Sequence, residues 1–516
     1  MLKRPWQHND NIRKSAVKKI LFVILLLAAV SIALFRLLSN GGLVDPFVAD
    51  YEEHCSSCHG AELQGVAERG PALIDTELLH GDTVIALEAL IAGGVAGTTM
   101  QGWSPQLSAE EIRGLAIYIA ERRVERLFTD FKTGGALTLP EGVVGSNLHD
   151  FRIEVITNQL DPLPFSLAPL PEGGFLVTEK TQGLRQVSAD GAVSALITGT
   201  PLAYDDGFEQ VLVWGHGWLL DVALHPDYAN NGWVYLHHTQ RCPDCSLIHK
   251  SVNRVVRGRI RDGAWIDEEV IWAPGPDHYS IVPDVGAGGR LAFDDDGYLY
   301  ISVGVKGSSN FDSVQNLEKP AGKIHRVHDD GRIPADNPFV AMKGAFPSIW
   351  TYGHRSPQGL EFNTRSGQIW STEMGPRGGD ELNLLLPGRN YGWPLTSRGL
   401  NYDGSSIHYG DWLGIDFDIN DIEQPVLDLT PAPAVSSFIF YEGDAFPGWR
   451  GHALLGSLKA TQLYRVELEG DKVVGYEVLI DSLARIRDIE TGADGMIYLL
   501  LEHSEGGQIV RLVPSP

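Results

Sequence analysis

Hydrophobic and polar positions fall into three regimes along the chain. The first is an apolar run from Ile20 to Phe35, interrupted by Arg36 and resumed at Leu37 and Leu38, with Lys3, Arg4, Arg13, Lys14, Lys18 and Lys19 before it. With Arg36 reaching out to the interface, Ile20–Leu38 rises roughly 28 Å as a helix, close to the ~30 Å hydrocarbon core. The preceding cations set the cytoplasmic side, so the pattern predicts a single-pass anchor in the inner membrane with residues 41–516 in the periplasm. A cleaved signal peptide is the rival, but the run is long for one and no clear cleavage site follows it.

The second regime, about 46–125, has helical spacing. Asp82 is the expected cap of a helix carrying Val84, Leu87, Leu90 and Ile91. Ser108-x-x-Glu111 reads as a capping box opening a helix with Ile112, Leu115, Ala116 and Ile119 on one face. A linker follows at 126–147. In the third regime, 148–514, turn signals repeatedly precede short strands that begin near 175, 233, 298, 368, 453 and 496. Six such units at irregular spacing predict a mainly β, six-bladed propeller, with Phe151–Val155 closing the ring beside Gln508–Val510.

Composition sharpens this picture. The 58 glycines and 29 prolines suit a turn-rich β chain, and 516 residues exceed one ordinary core. A formal charge of −25 argues against nucleic acid as a partner. Four cysteines are too few for a disulfide scaffold, so their spacing carries the information.

Cys55-Ser56-Ser57-Cys58-His59 is a C-x-x-C-H motif, in which two thiols bond covalently to haem vinyl groups and the imidazole ligates the iron. Met100, in a loop between two helical patterns, is the expected second axial ligand. A carbonyl of Gly70-Pro71 is the expected partner that orients His59. The stretch resembles a class I cytochrome c, a small all-α domain, which implies one haem c and an extracytoplasmic location. Cys242-x-x-Cys245 is followed by Ser246 and is no second haem site. A local disulfide is expected there, with half of a zinc site as the alternative.

Five blocks then appear in order: Leu219–Asp227, Gly353–Gly359, Gly375–Glu381, Asn390–Pro394 and Arg485–Asp488. Together they resemble the glucose/sorbosone dehydrogenases, six-bladed propellers that hold pyrroloquinoline quinone (PQQ) and calcium. The resemblance implies that Arg355, Lys459, Arg485 and Arg487 bind this tricarboxylate cofactor, since guanidinium forks suit carboxylates. It implies that the carbonyls of Gly375 and Pro376 ligate calcium.

The departures bear on catalysis. The family's general-base histidine is replaced by Gly286 and its acidic partner by Val305. His216 stands where a glutamine is usual, and Met374 replaces a polar residue. His216 is therefore the first candidate for the base, His278 or Asp284 the second, and loss of sugar oxidation the third. The leading expectation is a membrane-anchored quinohaemoprotein dehydrogenase. It oxidises a sugar or other alcohol through PQQ and passes electrons to its own haem c, then to a respiratory acceptor, the quinone pool or a cytochrome. The alternative is a ligand- or partner-binding propeller with an electron-transfer cytochrome. A lactonase-type hydrolase would need an axial carboxylate cluster that the sequence does not reveal.

Overall fold

A computed structural model describes residues 45–124, 137–205, 215–245, 249–306 and 311–515. The expected anchor, Ile20–Leu38, lies outside the described residues, as does most of the linker. Among the described residues no helix is long and apolar enough to cross a membrane. The chain divides into two compact units, Met1–Ala72 and Leu73–Pro516.

In the first unit, α1 (Pro46–His54) starts at Asp45, whose carboxylate accepts from the Phe47 N–H at 3.0 Å. Cys55 then opens the single helical turn α2 (Ser56–His59), which Gly60 terminates. Tyr51 is fully buried and ties α1 to this turn by donating to the Gly60 carbonyl at 2.9 Å.

The second unit contains α3 (Val84–Gly93) and α4 (Ala109–Val124). The N-cap of α3 is Thr83 rather than Asp82. The Thr83 Oγ1 accepts from Ala86 N at 3.2 Å, and Asp82 sits one residue too early to reach that amide. The capping box of α4 is present in both directions: Ser108 N donates to Glu111 Oε2 at 2.7 Å and Glu111 N to Ser108 Oγ at 3.2 Å. Its predicted face is buried, as are Gly114, Ile117, Tyr118 and Ala120.

The rest of this unit is a six-bladed propeller. Its first strand, β1 (Phe151–Leu160), is held back for the last blade. Blade one contains β2 (Pro164–Pro169), β3 (Phe175–Glu179) and β4 (Gly183–Val187). Blade two contains β5 (Leu219–Leu224), β6 (Val234–Arg241), β7 (Ser251–Arg261) and β8 (Ala264–Trp272). In blade three β9 (Gly288–Phe293), β10 (Tyr298–Val303), β11 (Lys323–His328) and β12 (Ile349–Tyr352) follow. Blade four has β13 (Pro357–Asn363), β14 (Gln368–Glu373), β15 (Glu381–Leu384) and the short β16 (Leu427–Asp428). Blade five has β17 (Val435–Phe440), β18 (Ala453–Ser457), β19 (Leu463–Glu469) and β20 (Lys472–Ile480). Blade six combines β21 (Arg485–Thr491), β22 (Ile497–Glu502) and β23 (Gly507–Pro514) with β1 on its outer edge.

β1 pairs antiparallel with β23, Val155 opposite Val510, so the two ends of the propeller sequence close the ring as the sequence implies. The six turn-strand units each supply the second strand of a blade, because the tight turn lies between first and second strands.

The strands read as apolar runs because a blade is covered on both faces. Leu499 packs toward blade five, with Ile439 and Leu454, and Leu500 toward blade one, with Leu167 and Val177. Val234 and Leu236 face blade one, and Tyr235 between them faces blade three. Period-two alternation thus sends successive residues into different interblade cores, and six such cores hold the ring.

Candidate cofactor and active site

The C-x-x-C-H turn is locally well ordered by hydrogen bonds. Cys55 and Cys58 are unpaired thiols, and burial, followed by Cys58 and Asp50, pushes the Cys55 thiol up to about 11. His59 Nδ1 lies 2.9 Å from the Pro71 carbonyl. A ring that donates Nδ1–H there leaves Nε2 as the ligand nitrogen, so the Gly70-Pro71 expectation resolves to Pro71. Met100 belongs to the second unit. Its amide donates to Thr98 Oγ1 at 3.1 Å and its carbonyl accepts from Val95 N at 3.0 Å, which shapes the loop. Cys242 and Cys245 form the expected disulfide, Cα–Cα 5.4 Å.

At the inner strands of the propeller, charged residues from five blades meet. Arg290 of β9 is the hub. It donates from Nη1 to Asp488 at 2.9 Å and Asp221 at 3.3 Å, from Nη2 to the Arg487 carbonyl at 2.9 Å and from Nε to the Gln358 carbonyl at 2.8 Å. Asp488 also accepts from Leu167 N at 2.7 Å. Blades two, three, four and six meet at one guanidinium, and Asp488 ties in blade one.

Glu361 and Glu490 complete this acidic side. Burial, then Asp488 and Asp221, pushes Glu361 up to about 8. Burial, with Asp488 and Glu361, pushes Glu490 well up. With Asp221 and Asp488 they form a buried carboxylate cluster that the sequence did not reveal. Among the described residues no group of three or more His, Cys, Asp or Glu side chains has metal-holding geometry.

A basic patch adjoins the hub. Both oxygens of the buried Glu502 are occupied, one by Arg485 Nε at 2.8 Å and the other by Arg487 Nε at 2.7 Å. Lys180 Nζ stands 3.6 Å away. Burial opposes the Glu502 charge, but Arg487, Arg485 and Lys180 outweigh it and hold this carboxyl far below the usual range. Three cations thus share one carboxylate, and the patch keeps an excess of positive charge. Arg487 Nη1 also donates to Gln358 Oε1 at 3.2 Å, and the Phe165 ring lies 5.5 Å from its guanidinium. Arg485 reaches the Leu458 carbonyl at 3.4 Å, next to half-buried Lys459.

Arg355 is set by its motif. Buried His354 stacks on Tyr391 at 4.7 Å and donates Nδ1 to Glu373 at 2.9 Å, and the other Glu373 oxygen takes the Arg355 amide. Gly353 has φ +83, and a Cβ there would strike Asn390, which is why these two blocks meet. The Arg355 Nη1 donates to the Met374 and Gly375 carbonyls, each at 3.0 Å. The Gly375 carbonyl expected to bind calcium therefore already faces a guanidinium. On their own these donors do not make a calcium site. The basic patch does fit a polyanionic cofactor, because its donors are charge-assisted and exceed its internal acceptors.

Gly286 and Val305, where the sequence departs from the pattern it resembles, have well-defined surroundings. Gly286 has φ +67, the left-handed region, and a Cβ there would lie 3.6 Å from Ser356 Oγ. Val305 is 3% exposed and packs with Val314, Trp393 and Ile407. Next to it, buried Lys306 donates to Asp284 at 2.9 Å and Ser251 Oγ at 2.8 Å. Burial opposes ionisation of Asp284, but Lys306, Ser251 and Thr239 hold its carboxyl below the usual range. Asp284 also accepts from Gly217 N at 2.7 Å, so it braces the loop that carries His216. It is a poor proton acceptor.

His278 lines a cavity of roughly 200 Å³ with Asn253, Trp272, Lys306 and Lys319. Burial and Lys319 push its imidazole down. His216 Nε2 lies 3.1 Å from the Ile281 carbonyl, and two residues on, Trp218 packs beside Phe165, Leu220 and Ala287.

A six-bladed propeller with a convergent cation patch, joined to a haem-attachment motif, defines a cofactor-dependent redox protein. Comparison with known proteins agrees. The Glucose / Sorbosone dehydrogenase family matches residues 162–511, and the family described as Cytochrome C oxidase, cbb3-type, subunit III matches residues 43–119. The chain is 37% identical over 368 residues to aldose sugar dehydrogenase YliI of Escherichia coli, covering 70% of this chain and 92% of that one. It is 26% identical over 443 residues to quinoprotein glucose dehydrogenase B of Acinetobacter calcoaceticus, covering 71% and 88%. A solved glucose dehydrogenase superposes with a TM-score of 0.62 at 38% identity, over 70% of this chain and 99% of that one. The chain belongs to the glucose/sorbosone dehydrogenase family, with an N-terminal cbb3-type cytochrome c domain.

Proposed function

We propose that this protein is a periplasmic quinohaemoprotein dehydrogenase, held to the inner membrane by Ile20–Leu38, with residues 41–516 exported. Its substrate class is a sugar or other alcohol, its cofactors are PQQ and one covalent haem c, and a respiratory quinone or cytochrome takes the electrons onward. When bound, the quinone accepts a hydride from the substrate carbon and the haem relays electrons singly.

The observation that carries this reading is the basic patch, where Lys180, Arg485 and Arg487 share the single carboxylate Glu502. Arg485, Arg487, Arg355 and Lys459 bind and orient the cofactor carboxylates. Cys55 and Cys58 would attach the haem, Pro71 favours the His59 tautomer whose Nε2 can ligate iron, and Met100 is the candidate second ligand. His216 takes the hydroxyl proton. Its loop is braced by Asp284, and its Nε2 lies 3.1 Å from the Ile281 carbonyl.

A second reading has a specific observation in its favour. The left-handed Gly286 and enclosed Val305 fit a propeller that binds a ligand without oxidising it.

One experiment separates them. The purified full-length protein is reconstituted with PQQ, with and without calcium, and haem reduction is followed on addition of aldoses, polyols and alcohols. Substrate-dependent reduction is expected. PQQ binding with no reduction by any substrate class leaves the ligand-binding propeller.

A further inference from the structure

Lys180 follows the last residue of β3, and its backbone is fixed on both sides. Its N–H donates to the Leu163 carbonyl and its carbonyl accepts from Leu219 N, each at 2.9 Å. The preceding Glu179 is occupied elsewhere, by Arg185 at 2.7 Å and Asp161 N at 2.8 Å. The side chain of Lys180 is therefore committed to the basic patch. It lies 5.6 Å from the Phe165 ring and 5.3 Å from the Trp218 ring.

Its ammonium group is poorly satisfied. It carries three N–H donors, and the one side-chain acceptor that meets it among the described residues is Glu502. Its nearest acceptor, Glu502, is 3.6 Å away, and both oxygens of that carboxylate already receive an arginine at shorter range. The groups that face it are Arg485 and Arg487 from β21 and Glu502 from β22. Phe165 and Trp218 contribute no charge, and Arg290 and Asp488 lie beyond the Phe165 ring. A buried, under-bonded cation beside two arginines is costly unless an anion joins it.

We propose that Lys180 binds a carboxylate of the PQQ cofactor beside Arg485 and Arg487, and takes up a proton as the cofactor enters. The inference rests on the PQQ reading above. Burial, then Arg487, pushes the Lys180 amine down to about 7 in the unliganded patch. At pH 8 much of it is therefore neutral. An entering carboxylate favours the ammonium form, so binding draws a proton from solution.

The test is calorimetric titration of the haem-loaded full-length protein with PQQ at pH 8, in two buffers of different ionisation enthalpy. Wild type is expected to take up close to one proton. Lys180→Met should bind roughly tenfold or more weakly and lose the uptake. Lys180→Arg keeps the charge without titrating, so it should bind within a few-fold of wild type and also lose the uptake. If wild type binds PQQ and either variant keeps both the affinity and the proton uptake, the role of Lys180 is wrong and the cofactor reading stands. If wild type binds no PQQ, the cofactor reading itself fails, and the inference with it.

Discussion

Replacing Val305 with aspartate restores an acidic residue where the family has one, and the structure says what that costs. Val305 is 3% exposed among Val314, Trp393 and Ile407. Losing its buried side chain costs about 1.5–3 kcal/mol. Burying a carboxyl without a partner adds about 1–3 kcal/mol. Arg355 stands over the neighbouring Trp393 ring at 5.3 Å, but its Nη1 is committed to the Met374 and Gly375 carbonyls, and Lys306 is committed to Asp284 and Ser251. The expected loss is therefore about 2.5–6 kcal/mol. Such a carboxyl has a raised pKa in the fold, so its stability is best below the unfolded value and falls as pH rises through the folded value. Val305→Asp should accordingly be weaker at pH 8 than at pH 5 in denaturant titrations followed by tryptophan fluorescence. Adding Gly286→His places a side chain at φ +67, for about 1–2 kcal/mol more. The double variant should show no gain in aldose-dependent haem reduction. A folded double variant that gains such activity, or a Val305→Asp protein as stable as wild type at pH 8, refutes the reasoning. Either would mean that Arg355 leaves its carbonyls to meet the new carboxylate.

Three further outcomes are expected. His216→Gln should bind PQQ within about tenfold of wild type, and should slow substrate-dependent haem reduction by about 10²–10⁴; stopped-flow absorbance reads the rate. Glu361 is pushed up to about 8 by burial, Asp488 and Asp221, so its favourable contribution is present below about 4.5 and is lost as pH rises through 8. Glu361→Gln should therefore flatten the alkaline fall in melting temperature, leaving the acid side unchanged, as a pH series of thermal melts would show. Leu499→Ala, in the core between blades five and six, should cost about 2–5 kcal/mol in denaturant titration without changing the haem spectrum.

The sequence carried what is local. C-x-x-C-H, the capping box at Ser108 and Glu111 and the six turn-strand units each signal within a few residues, and each has its counterpart in the structure. Ring closure was legible because β1 and β23 are strand-like segments left over at the two ends. The site was legible only in pieces. Arg355, Arg485 and Arg487 stood out through their motifs, but Arg290, Glu502 and Lys180 did not. Their roles depend on partners in other blades, such as Asp221, Asp488 and Gln358, that no spacing rule relates. The sequence also registered the loss of a histidine at 286 and an acid at 305. It did not register that a left-handed turn and an apolar cluster now stand there, since both depend on the tertiary environment. The cap of α3 moved by one residue, from Asp82 to Thr83, because two capping residues stand side by side.

The central claim is that one chain oxidises its substrate and reduces its own haem. The direct measurement is single-turnover mixing of PQQ-loaded, oxidised protein with substrate under anaerobic conditions, over a range of protein concentrations. Haem reduction should follow first-order kinetics, with a rate constant independent of protein concentration. No haem reduction, or a rate that rises in proportion to protein concentration, contradicts the account.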